Sequence, residues 1–371
     1  MSRIFLTTLF AMLIMVNALA QEDKSSRPVQ QKGTIIAADN SNIQYVGRIN
    51  YKNPKAPCFT FPGIQINAQF TGSSLKMMAK PMSGFFMVSI DGNEAFKVGF
   101  NSQRDSVITI ATALSPQQVH SARIMYVTEG YERRAEFRGF IIDEGATLLN
   151  PQPLPKRRIE FIGNSITCGY GVEDTNCWAP FQDETCNHYY TYAAITTRNL
   201  NAVHQTVARS GIGVYRCYDG PVTGDSINMN TEYPYTLLYD HSQAWDFTTF
   251  IPHLVCINLG TNDTSTKGAD PTLLRNGYRN LIAQVRSHYP DAKIVMLCGC
   301  MMSGDQLKQA QQALDDVVKE LNRKGDRNIY RFDFTPQDGS MGYGADWHPS
   351  MQQQSHMADE LTPYLRKLMN W

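Results

Sequence analysis

The rhythm of apolar positions changes once along this chain. From residue 33 to residue 149 they fall in short β-rich or alternating runs, at 64–70, 75–79, 85–90, 107–111, 123–127 and 137–142, each broken off by turn residues. Alternation sends successive side chains to opposite faces of a strand, so that one face can be buried while the other meets water. Asp91-Gly92-Asn93, between two such runs, has hairpin chemistry because Gly and Asn tolerate positive φ. No helical period of useful length interrupts the pattern, which predicts an antiparallel β-sandwich of jelly-roll type over residues 33–150. Pro151, Pro153 and Pro155 then fix φ repeatedly, which predicts a stiff connection over residues 151–158.

After Arg158 the order becomes strand, loop, helix, repeated. Apolar strands are predicted at 159–162, 202–208, 254–259, 294–297 and 329–334. One helix opens with Asp270 as N-cap and Pro271 in the first turn, puts Leu274, Tyr278, Leu281, Ile282 and Val285 on one face, and stops by Pro290. The next carries Leu307, Ala310, Leu314, Val317, Val318 and Leu321 and ends by Gly325. Strands alternating with helices predict an α/β domain over residues 159–371, a parallel sheet with helices on both faces that binds ligands at the carboxyl ends of its strands.

Residues 1–20 stand apart from both patterns. Arg3, an apolar run over 4–16 and the small-x-small Ala18-Leu19-Ala20 predict a signal peptide, and so an exported, periplasmic or extracellular protein. The run is shorter than the ~20 residues that span a bilayer, and no later segment is apolar enough, so stable membrane insertion is not expected. With 371 residues, 42% of them hydrophobic, the chain can build two cores, which excludes disorder as its main state. Lys and Arg number 34 against 34 Asp and Glu, and this balance gives no pull toward nucleic acid. Export permits disulfides among the eight cysteines. Cys177 and Cys186, flanking a polar loop, are the expected pair, whereas Cys256 and Cys298 lie in apolar runs that suit buried thiols. No Cys-x-x-Cys pair is present, and no metal or cofactor is expected.

Four predicted strand ends carry chemistry. The first runs into Gly163-Asn164-Ser165-Ile166-Thr167, the second into Ser210-Gly211-Ile212-Gly213, and the third into Gly260-Thr261-Asn262-Asp263; after the last come Asp346-Trp347-His348-Pro349. Each block alone is an ordinary cap, turn or loop; together, in order and at one sheet edge, they suit acyl transfer. A serine hydroxyl becomes a useful nucleophile when a histidine takes its proton. The oxyanion that follows needs fixed donors, which the N–H groups of Ser165 and Gly211 and the amide of Asn262 can supply.

These blocks resemble those of the SGNH, or GDSL-type, hydrolases, with Ser165, Gly211, Asn262 and His348 matching the four letters, although the first block reads Gly-Asn-Ser and not Gly-Asp-Ser. With a jelly roll in front, and with Gly-Asn-Ser-Ile-Thr and Asp-Trp-His-Pro, the chain is similar to carbohydrate esterase family 2. The resemblance implies a flavodoxin-like catalytic domain and an esterase that removes acetyl groups from plant polysaccharides or sugars such as acetylated xylan. The superfamily places its acid three residues before the histidine, where this chain has Ala345; Asp346 is the nearest acid. Either Asp346 orients His348, completing a triad, or a backbone carbonyl does so and the site is a dyad. Trp347 is the candidate for stacking on a sugar, with Tyr170 and Tyr215 as further candidates for lining the cleft. Competing readings are an SGNH lipase or thioesterase acting on other esters, and a carbohydrate-binding protein without turnover.

Overall fold

A computed structural model describes residues 33–130 and 133–371; the expected signal peptide lies outside the described residues. The alternation in the first part builds two antiparallel sheets whose inner faces share one core. In strand Gln65–Phe70 the even positions Ile66, Ala68 and Phe70 are buried, and Gln65, Asn67 and Gln69 face outward. One sheet runs Thr34–Ala37, Ala135–Ile142, Leu75–Ala79, Val107–Ala111, with Cys58–Phe59 also paired to Ala135–Ile142. The other runs Leu148–Leu149, Gln65–Phe70, His120–Tyr126, Gly84–Ile90, Phe96–Phe100, with Gln44–Val46 paired to Gln65–Phe70. Phe59, Phe70, Phe86, Phe100, Tyr126, Phe137 and Phe140 fill the space between them, several edge to face, as Phe59 and Tyr126 are at 5.0 Å. The Asp91-Gly92 turn forms with φ of 56° and 75° and joins Gly84–Ile90 to Phe96–Phe100.

The second part is a parallel sheet in the order Ala202–Ala208, Arg157–Gly163, Leu254–Asn258, Lys293–Cys298, Ile329–Asp333. In chain order this is 2-1-3-4-5, the flavodoxin-like arrangement, whose reversal point lies at the first strand, between the second and the third. Helices cover both faces, so the strand interiors are buried and mostly apolar, with Glu160, His204, Gln205 and Thr206 as buried polar exceptions. Val255 and Ile257 face Pro271–His288 and Gly304–Arg323, while Leu254 and Cys256 face Tyr192–Asn199 and Met351–Met369. Asp270 caps its helix as expected, accepting from the N–H of Thr272 and Leu273 at 2.8 and 2.9 Å. The covering helices Tyr192–Asn199 and Met351–Met369 have no counterpart in the sequence reading.

The two architectures are fused. Residues Gly33–Trp371 form one compact unit, and the junction is buried and polar as well as apolar. Arg48, from the sandwich, is fully buried in the α/β part, where its guanidinium meets Glu160 at 3.4 Å, both side chains without solvent exposure. It donates to the carbonyls of Tyr233 and Tyr235 and lies over the ring of Tyr233 at 4.8 Å. Glu160 also accepts from Gln205 at 2.6 Å and from the Tyr233 hydroxyl at 2.8 Å. Phe61 of the sandwich belongs to the same core as Ile162 and Val207 of the parallel sheet. Among the described residues no helix is long and apolar enough to cross a membrane.

All eight cysteines stand as thiols, so the expected Cys177–Cys186 bridge is not formed. The Cys186 side chain is fully buried and turned toward the Cys168 carbonyl at 4.0 Å, while Cys177 stays half-buried in the loop.

Candidate active site

The sheet order sets three of the four blocks side by side. In register, Gly163 pairs with both Ala208 and Asn258, so the loops carrying Ser165, Gly211 and Asn262 leave adjacent strand ends. Ser165 opens a single helical turn, Ser165–Cys168, because Asn164 caps it by accepting from the Ile166 N–H at 3.1 Å and Gly169 closes it in the left-handed region. Only 6% of Ser165 is exposed.

His348 reaches it from the far end of the chain: Nε2 lies 2.8 Å from Ser165 Oγ. The other ring nitrogen, Nδ1, faces two backbone carbonyls, Asp346 O at 3.0 Å and Ala345 O at 3.2 Å. A carbonyl can only accept, so Nδ1 carries the proton and Nε2 presents its lone pair to the serine. Thus Asp346 is at the histidine with its main chain. Asp346 and Trp347 both have positive φ, 48° and 60°, a conformation that costs L-residues energy and persists where surroundings impose it. Here the Asp346 N–H donates to Ala179 O at 3.1 Å, the Trp347 carbonyl accepts from Gln337 at 2.9 Å, and Gly344 N–H donates to His348 O at 2.7 Å. This turn aims the two carbonyls at the ring.

Burial lowers the His348 pKa to about 4, with the nearby Asp346 charge and the two carbonyls opposing the shift. The imidazole is therefore a neutral base at neutral pH. Tyr170 stacks on it, ring centroids 4.0 Å apart and planes 20° from parallel, so this tyrosine packs the base. Tyr215 is turned away: it is buried in the main α/β core and its hydroxyl accepts from the Asp270 N–H at 3.0 Å.

The candidate oxyanion side is built around Gly211. Its φ of +77° suits glycine, and an added Cβ would meet nothing closer than Arg209 Nη1 at 3.7 Å. Backbone conformation, not crowding within the protein, thus explains the residue. Asn262 Nδ2 donates one hydrogen to Ile212 O at 2.8 Å, which ties it to the glycine loop and leaves its second hydrogen for a ligand. Asp263 anchors the same loop, accepting from the N–H groups of Val214, Tyr215 and Arg216 at 3.0, 2.9 and 3.2 Å. Among the described residues, no acceptor within hydrogen-bond distance faces the N–H of Ser165 or of Gly211.

Trp347 is 41% exposed beside the histidine and is met edge-on by Trp178 at 5.0 Å and by Tyr343 at 5.1 Å. Trp178, 78% exposed, is one of two aromatics, with Phe181, in the loop between Cys177 and Cys186, and only its placement against Trp347 brings it into the site.

A family model described as Carbohydrate esterase 2 N-terminal matches residues 45–153, and one described as GDSL-like Lipase/Acylhydrolase family matches residues 161–356. The solved structure of a family two carbohydrate esterase from Clostridium thermocellum, in complex with cellohexaose, is 37% identical, with a TM-score of 0.82, over 89% of this chain and 99% of that one. This chain belongs to the family 2 carbohydrate esterases. Membership places it among carboxylic ester hydrolases. The cellulase/esterase CelE of Acetivibrio thermocellus is 38% identical over 337 residues, 90% of this chain; the chain spans about 40% of the length of that relative. An acetylxylan esterase / glucomannan deacetylase of Cellvibrio japonicus is 27% identical over 347 residues, 91% of each chain.

Proposed function

We propose that this family 2 carbohydrate esterase is an exported serine esterase that removes O-acetyl groups from a polysaccharide or oligosaccharide by a Ser165–His348 dyad. The observation that carries the reading is the 2.8 Å contact of His348 Nε2 with Ser165 Oγ, backed by carbonyls on Nδ1.

Ser165 Oγ attacks the acetyl carbonyl while His348 Nε2 takes its proton, and the oxyanion rests on the N–H groups of Ser165 and Gly211 and on the Asn262 amide. Collapse breaks the ester bond, His348 returns the proton to the departing sugar oxygen, and an acetyl-serine remains. Water, deprotonated by His348, attacks that ester, and acetate leaves as Ser165 regains its proton. The carbonyl pair supports imidazolium in place of a carboxylate: Nδ1–H stays bonded while the ring gains its positive charge.

For the partner, support comes from the names of the Cellvibrio relatives and the cellohexaose complex of the Clostridium structure, together with the exposed Trp347–Trp178 pair, flat apolar surfaces suited to a pyranose face. Export rests on the leader pattern of residues 1–20.

Acetate release from acetylated xylan, acetylated glucomannan and 4-nitrophenyl acetate, wild type beside Ser165→Ala, tests the reading. The expected result is release from the glycans that Ser165→Ala abolishes with the fold intact. Serine-dependent release from the small ester alone would return the lipase or thioesterase reading, and silence on all three would leave a binding protein.

A further inference from the structure

The loop that bears Gly211 is held by a side chain from the other architecture. Glu129 follows strand His120–Tyr126 of the sandwich and is only 4% exposed. Its Oε2 accepts the backbone N–H of Ser210 at 2.7 Å. The Cys168 thiol, on the same helical turn as Ser165, and the Ser210 hydroxyl flank the carboxyl. One buried carboxyl thus stands between the turn that carries the nucleophile and the loop that carries the oxyanion donor.

Its own backbone is fixed from both sides. Gly130 N–H donates to Thr60 O at 2.7 Å, Val127 N–H donates to Phe85 O at 3.1 Å, and Val127 O accepts from His188 N–H at 3.1 Å. An added Cβ at Gly130 would sit 2.5 Å from Thr60 O, so the segment lies hard against its neighbour. The direction of the Gly211 N–H is set by the plane of the Ser210–Gly211 peptide. On its C-terminal side the following peptides are held by the Tyr218 N–H on Gly211 O, at 2.8 Å, and by Asn262 on Ile212 O. On its N-terminal side the preceding peptide is anchored by the bond from Ser210 N–H to Glu129, so Glu129 fixes where the Ser210–Gly211 peptide begins.

Resting on the esterase reading above, we propose that Glu129 is a positioning residue that aims the Gly211 N–H at the oxyanion, so that the sandwich takes part in turnover without touching substrate. The role needs an acceptor oxygen at this spot and not a negative charge, which Gln supplies and Ala does not. Asp, one methylene shorter, leaves the Ser210 N–H out of reach.

Steady-state kinetics on 4-nitrophenyl acetate should show kcat lowered about 10- to 100-fold in Glu129→Ala and Glu129→Asp with KM within about threefold, and Glu129→Gln within about threefold of wild type in both. Inhibition by methylboronic acid, which forms a tetrahedral adduct on a reactive serine, should weaken in parallel with kcat in the Ala and Asp variants. A Glu129→Ala enzyme with kcat within twofold of wild type would overturn the proposal, as would a folded Glu129→Gln as slow as Glu129→Asp. If Glu129→Ala does not fold, the Gln and Asp variants decide alone. Turnover surviving in Ser165→Ala would instead bring down the esterase reading itself; a dead Ser165→Ala beside a normal Glu129→Asp would bring down this inference only.

Discussion

At the scale of the residue, the chemistry lies in a few contacts whose partners differ in how visible they were in the sequence. Ser165, Gly211, Asn262 and His348, the proposed nucleophile, donors and base, could be named from the sequence because such groups gather at the carboxyl ends of parallel strands. For the group that orients His348 the sequence left two candidates, the Asp346 carboxylate and a backbone carbonyl, because a carbonyl carries no residue signature and here depends on two consecutive positive-φ residues, Asp346 and Trp347. The carbonyl role makes Asp346→Asn a mild change: kcat/KM for 4-nitrophenyl acetate at pH 7 should fall no more than about threefold, whereas a loss approaching the ~10⁴-fold seen when a triad carboxylate is replaced would assign the role to the carboxylate. The acid limb sharpens the test. With the His348 pKa near 4, kcat/KM should stay level from pH 7 to about 5 and fall below that as the base is protonated. The Asp346 charge raises that pKa, so removing it should move the limb to lower pH. Glu129 was invisible for another reason: a lone glutamate after a strand means nothing until the fold brings Ser210 to it.

At the scale of the element, most of the strands named from the sequence were legible within a residue or two, and Ala202–Ala208, Leu75–Ala79 and Val107–Ala111 agree at both ends; the run at 123–127 opens three residues late against His120–Tyr126, and short strands such as Thr34–Ala37 and Gln44–Val46 were not named. Buried parallel strands are mostly apolar on both faces and announce themselves. Helix Met351–Met369 hid behind polar residues that it buries, Gln353 and Gln354, and behind Pro363 in its interior. Gln354 is there for its neighbours. Its Oε1 accepts the Tyr192 N–H at 2.8 Å, and its Nε2 donates to Ile166 O at 2.9 Å, one residue beyond the nucleophile. Gln354→Leu keeps the bulk and strands both backbone groups, so it should destabilise the protein by about 2–4 kcal/mol, read as a lower urea midpoint with an unchanged slope. A midpoint equal to wild type would show that the helix is held by apolar packing alone.

At the scale of the whole molecule, a proline-rich stretch after the sandwich suggested two bodies joined by a spacer, and the structure has one body. The apolar pattern located each core but could not reveal that Arg48 crosses between them, since a lone arginine in a β-rich segment reads as solvent-facing. Arg48→Met should cost about 3–5 kcal/mol, because it leaves Glu160 charged, buried and without its cation. Glu160→Gln added to it should restore part of the loss. Two-state thermal melts of the single and double variants check both outcomes, and additive losses would mean that the pair is not coupled. The same burial gives the chain a grain for anyone who cuts it. A catalytic fragment begun at Lys156 would expose the apolar seat of Phe61 and orphan Glu160, and a sandwich expressed by itself would display a cation dressed for an aromatic interior. Grafting into scaffolds or fusion with other enzymes should therefore take Gly33–Trp371 as the indivisible cassette, with new junctions placed outside it and none at the prolines.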